Sequence, residues 1–82
     1  MPKDKKSIKR DILDKFRAIN GEADDILPPD WLVREYLANL DRYELKDFEK
    51  ALKELMSKGF ISYRRGAIPE IRLTEKGAAL IH

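Results

Sequence analysis

The stretch from Leu55 to Gly77 constrains the fold more than any other part of the chain. It opens with Leu55-Met56-Ser57-Lys58-Gly59-Phe60-Ile61 and closes with Ile71-Arg72-Leu73-Thr74-Glu75-Lys76-Gly77. Gly59 is a helix stop, because glycine takes the left-handed conformation that ends helices. Beyond it, Ile61, Tyr63, Ile71 and Leu73 alternate with Ser62, Arg64 and Arg72. A period of two is what a half-buried hairpin requires. Arg65-Gly66-Ala67-Ile68-Pro69 is the connecting loop, and Pro69 belongs at its tip or on an edge because it has no N–H for a ladder. Thr74 can cap a final short helix from Glu75 to Ile81. The order is helix, glycine stop, strand, turn, strand, helix.

Upstream, the apolar period changes. Ile8, Ile12, Phe16 and Ile19 recur at spacings of three and four, with Leu13 beside them, behind Ser7 as the expected N-cap. Asn20-Gly21 ends this first helix. The connector from Glu22 to Pro29 is acidic, and its one apolar pair, Ile26-Leu27, is too short to assign to an element. Pro28-Pro29-Asp30 marks the entry to a second helix with a broad apolar arc: Trp31, Leu32, Val33, Tyr36, Leu37 and Leu40. Asp41, with Glu44 three residues on, reads as a capping box for a third helix. Its expected core stripe is Leu45, Phe48, Leu52 and Leu55, with Met56 alongside.

With 82 residues the chain is one small domain, and 43% apolar residues suffice for a single core. Residues 1–6 read as a disordered basic leader and residues 7–82 as the folded domain. There is no cysteine, which removes disulfides, thiol chemistry and zinc knuckles. The one histidine, His82, has no partner set, Asp24-Asp25 has no histidine or phosphate loop beside it, and Ser7, Ser57 and Ser62 have no candidate base. The expectation is therefore a non-enzyme without metal or cofactor. No apolar run reaches membrane-spanning length and no signal peptide is apparent, so the expected location is cytoplasmic.

Net charge is only +2, but it is segregated. Residues 1–20 carry seven basic and three acidic side chains, residues 21–41 one basic and six acidic, and residues 42–66 seven basic and four acidic. Such a distribution can set a positive face against a negative one, which suits orientation on a polyanion. An ordinary solvated surface would produce the same counts.

Two segments carry a resemblance. Ala51-Leu52-Lys53-Glu54-Leu55-Met56-Ser57-Lys58-Gly59-Phe60-Ile61 resembles the recognition-helix exit and first wing strand of bacterial and archaeal transcription regulators of the multiple-antibiotic-resistance and arsenical-resistance repressor kind. Arg72-Leu73-Thr74-Glu75-Lys76-Gly77-Ala78-Ala79-Leu80-Ile81 resembles their last strand and following helix. The resemblance covers residues 7–81 and implies an α+β winged helix-turn-helix: a three-helix core, a two-stranded β-hairpin wing and a short C-terminal helix. It also implies a small DNA-binding protein acting in transcription regulation, with double-stranded DNA as partner. Those repressors usually dimerise through additional helices, so a two-fold operator complex of the usual kind is not expected here.

In such a fold the third helix enters the major groove. Lys46, Lys50, Lys53 and Ser57 fall on one exposed side of it, with Arg42 and Tyr43 near its start. Lysines neutralise phosphates, and Arg and Tyr reach base edges or sugars. Asp47, Glu49 and Glu54 lie among them and would need pairing, for example Glu49 with Lys53 or Glu54 with Lys50. Arg64, Arg65 and Arg72 are the wing candidates for an adjacent backbone or minor groove, with Gly66 and Pro69 letting the tip project. The competing reading of the helix is a solvated surface laced with ion pairs. For the hairpin it is arginines that discourage edge pairing. A second function class also remains open: a winged-helix protein–protein interaction module, or a homodimer, anchored on exposed aromatics such as Trp31.

Overall fold

Asp4, rather than Ser7, caps the first helix. In the computed structural model, which describes residues 4–82, helix 1 runs Lys5–Ala18 and the Asp4 carboxylate accepts from Ser7 N at 2.8 Å. Lys5 and Lys6, expected in the leader, are thus its first turn; residues 1–3 lie outside the described residues. An aspartate caps as well as a serine and adds negative charge where the helix dipole favours it. Ile8, Ile12 and Phe16 are fully buried. Ile19, assigned to the same stripe, is the C-cap and stands partly in solvent, because the helix has already ended beneath it. Asn20 then takes a positive φ of 53°, as the Asn-Gly stop implied.

Helix 2 departs from α geometry. Trp31–Tyr36 is π-helical and continues into a 3-10 turn, Leu37–Asn39. In an α-helix of 3.6 residues per turn, residues five apart lie well apart around the axis. Here the N–H of Leu37 reaches the carbonyl of Leu32, and the wider turn brings Trp31 over Tyr36 with ring centroids 5.0 Å apart. Leu32 and Tyr36 are buried, Trp31, Leu37 and Leu40 are half-buried, and Val33 is exposed. The broad apolar arc is therefore only partly covered.

Helix 3, Arg42–Ser57, buries Phe48, Ala51, Leu52 and Leu55. Gly59 follows with φ +80°, and the chain enters β1, Ile61–Arg64. β1 pairs antiparallel with β2, Glu70–Leu73, in the register Ile61↔Leu73 and Tyr63↔Ile71. One face therefore presents Ile61, Tyr63, Ile71 and Leu73 together. The free side of β2 is covered by the acidic connector: Ile26 bridges Arg72, Leu27 N donates to Ile71 O at 2.9 Å, and Leu73 N donates to Asp25 O at 2.8 Å. The Ile26-Leu27 pair, too short to assign from the residues alone, thus forms an isolated bridge to β2 and satisfies backbone groups that an edge would leave open.

Helix 4, Glu75–Ile81, starts at Thr74, whose hydroxyl oxygen accepts from Gly77 N at 3.0 Å and donates to the carbonyl of Gly59. Gly77 packs directly on the carbonyl of Phe60. At the other end, His82 Nε2 donates to Gly21 O at 2.7 Å, joining the end of helix 4 to the end of helix 1. The described residues thus form an α+β fold of four helices and one two-stranded antiparallel sheet, around a core drawn from every element.

Candidate nucleic-acid interface

The capping box on helix 3 forms as the sequence implied. Glu44 N donates to Asp41 Oδ1 at 2.8 Å, and Asp41 N donates to Glu44 Oε1 at 3.0 Å. That start sets the phase of the helix. With Phe48, Ala51, Leu52 and Leu55 turned inward, Arg42, Lys46, Lys50, Lys53 and Ser57 share the outward side, and all are exposed. Tyr43 stands 75% exposed at the helix start. Arg42, Lys46, Lys50 and Lys53 make no ion pair with the described residues.

Glu54 does not pair with Lys50. It turns to the other flank of the helix, where Lys9 Nζ lies 2.7 Å from it, Lys5 Nζ 3.5 Å and Lys58 Nζ 3.7 Å. The Lys9 ammonium at 2.7 Å, reinforced by the charges of Lys5 and Lys58, holds this carboxyl below its usual range. One carboxylate thus ties helix 1 to helix 3 and is removed from the lysine row. Glu49 and Lys53, four residues apart, also form no ion pair.

The three hairpin arginines do not form one cluster. Arg64 and Arg72 lie on the sheet face opposite Tyr63, because alternate residues face opposite ways. Arg72 is engaged locally: its guanidinium is 3.5 Å from Glu70 Oε1 and 3.4 Å from the carbonyl of Asp24. Arg64 is exposed and unpaired among the described residues. Arg65 comes round to the side of helix 3 and lines a groove with Lys53. At the loop tip Arg65, Gly66, Ala67 and Ile68 are all exposed, and Ala67 and Ile68 border a shallow cleft shared with Pro29 and Val33 at the start of helix 2.

The groove between helix 3, the end of helix 2 and the hairpin has a volume of about 380 Å³. Leu37, Leu45, Phe48, Leu52, Met56 and Tyr63 form its apolar wall, and Glu49, Lys53 and Arg65 complete its lining. Leu45, assigned to the core, is 41% exposed, and Met56 is 40% exposed. Both lie on the flank of the stripe nearest the hairpin, and the half-buried Tyr63 and Leu37 do not reach far enough to cover them. The sequence carried no signal for this, since Leu45 fits the i, i+3, i+4 pattern as well as Phe48 does. The pairing of Glu54 with helix 1 was equally hidden, although Lys5 and Lys9 are four apart on one face.

Trp31 and Tyr36 serve the interior. Tyr36 hydroxyl donates to Asp11 Oδ2 at 2.7 Å, and Lys15 Nζ sits 5.0 Å above the Trp31 ring. Burial and the Asp11 carboxylate push the Tyr36 phenol well above its ordinary range. Among the described residues no group of three or more His, Cys, Asp or Glu is placed to hold a metal ion, and no helix is long and apolar enough to cross a membrane.

No family model, no curated protein and no solved structure matches the chain.

Proposed function

We propose that the chain is a winged helix-turn-helix domain that binds double-stranded DNA as a transcriptional regulator. Helix 3 lies in the major groove and the hairpin serves as the wing. The reading rests on one observation above the rest. The outward side of helix 3 carries Arg42, Lys46, Lys50 and Lys53 without carboxylate partners among the described residues, while the nearby Glu54 is neutralised by helix 1. An exposed row of unpaired cations on a rigid helix is suited to neutralising phosphates. Arg65 extends the row towards the wing, and Arg64 is left for an adjacent backbone or a minor groove. Ser57 and Tyr43 add hydroxyls at the two ends of the helix. Arg72 is the weakest member of the expected contact set, because it is already held by Glu70 and Asp24.

The second reading is a protein-interaction module, and a different observation favours it. The groove beside the lysine row leaves Leu45 and Met56 about two-fifths exposed, and exposed apolar surface of this kind is a common mark of interfaces.

Fluorescence anisotropy of a labelled random duplex, titrated with the protein across a salt series, separates the two. Duplex binding appears as affinity that falls linearly with salt on logarithmic axes, with a slope set by the number of phosphates neutralised. Absence of binding at low salt favours the protein-partner reading.

A further inference from the structure

The exposed flank of helix 3 combines two chemistries that a purely phosphate-binding surface would not need. Lys53 and Arg65 line the same groove as the partly exposed Leu45 and Met56. What the helix lacks is equally telling. It contains no Asn or Gln, the side chains that pair bidentately with adenine, and Arg42 at its first position is its only arginine. A lysine ammonium is a rotating point charge, which fixes base-edge geometry less than an arginine fork does. Hydrogen-bond readout along Lys46, Lys50 and Lys53 is therefore weakly directional.

In the major groove the one base-edge feature that an apolar side chain can read is the C5 methyl of thymine. We infer that helix 3 selects duplex DNA through thymine methyl groups seated against Leu45 and Met56, and prefers T-rich sites without a sharply defined sequence. This rests on the DNA-binding reading above and specifies the substrate of that same surface. Charge complementarity names the occupant: phosphates flanking a thymine tract meet Lys53 and Arg65, and the methyls meet the apolar residues that line the same groove. Glu49 also lines the groove and opposes ligand anions placed beside it.

The experiment compares two duplexes of identical sequence with a T-rich centre, one carrying deoxyuridine at every thymine position. That exchange deletes the methyls and leaves charge and pairing unchanged. The full chain is titrated into each, as wild type and as the Leu45→Ala/Met56→Ala double variant, whose thermal midpoint is checked beside the wild type. The expected result is weaker binding of the deoxyuridine duplex by about fourfold for each methyl buried. The double variant should bind both duplexes equally, with the wild-type salt slope. Equal affinity of the wild type for the two duplexes overturns the inference and leaves DNA binding intact. Failure of both duplexes to bind at low salt overturns the DNA reading with it. A wild-type dimer that the double variant converts to monomer shows that a second copy covers Leu45 and Met56, and also overturns the inference.

Discussion

At the scale of single residues, Gly77 shows how a small side chain can outweigh propensity. Alanine is favoured over glycine inside a helix by about 1 kcal/mol. A Cβ at Gly77, however, would press into the carbonyl of Phe60 and stand 2.7 Å from Leu73 Cδ1. Backbone cannot step aside as a flexible side-chain end can, so the clash decides the sign. Gly77→Ala is expected to lose about 3 kcal/mol of stability in chemical denaturation, the upper part of the range for overpacking. Tyr36 makes a different prediction. Its phenol is held neutral in the fold by burial and by the hydrogen bond to Asp11. A group whose folded pKa is raised stabilises fully below its unfolded pKa, about 10 for tyrosine, and loses that contribution as pH climbs beyond it. Stability should therefore begin to fall as pH rises past about 10, the unfolded tyrosine pKa, and keep falling above it. Tyr36→Phe should be less stable near neutrality by about 1 kcal/mol, the worth of the hydrogen bond, and should show a shallower alkaline loss.

At the scale of elements, helix 3 carries a different task on each flank. Its inward side supplies Phe48, Ala51, Leu52 and Leu55 to the core. One outer flank gives Glu54 to Lys5, Lys9 and Lys58, which fastens helix 1. The other bears Leu45 and Met56 on the groove. Because the Glu54 carboxyl lies below its usual range, its contribution is present above the unfolded glutamate pKa, about 4.3, and is lost as pH falls through the lower folded value. Glu54→Gln should therefore flatten the acid limb of the stability profile, measured by denaturation from pH 6 down to about pH 3, a window set by that pKa. An unchanged acid limb would mean that the three lysines do not act on Glu54 in solution. Helix 2 shows the limit of reading helices by a 3.6-residue period. Trp31 and Tyr36 stack only because the segment adopts the wider π turn, and Val33 is left in solvent.

At the scale of the whole molecule, the lysine row and the hairpin meet at Arg65, so the proposed contact surface spans two elements. Two substitutions test it without disturbing the fold. Lys50→Glu should abolish duplex binding in anisotropy, while stability changes by less than about 0.5 kcal/mol, as is usual for exposed sites. Arg65→Ala should weaken binding and reduce the salt slope by about one phosphate contact. If neither variant alters affinity, helix 3 and the hairpin are not the surface that touches DNA.

The order of elements, the Asn20-Gly21 and Gly59 stops, the capping box at Asp41 and the hairpin alternation were all legible in the residues alone. Each is a local signal: a glycine's freedom at positive φ, a side chain reaching a backbone N–H three residues on, or a period of two. The outward side of helix 3 was legible for the same reason, since spacing along one helix places Lys46, Lys50 and Lys53 together. Only the tertiary structure decided which flank of that helix would be covered. It joined Glu54 to Lys5 and Lys9, Tyr36 to Asp11, and the acidic connector to the free side of β2. It separated Arg65 from Arg64 and Arg72, and left Leu45 and Met56 beside a groove. Those outcomes depend on which surfaces meet when distant segments pack, and no short-range pattern records that.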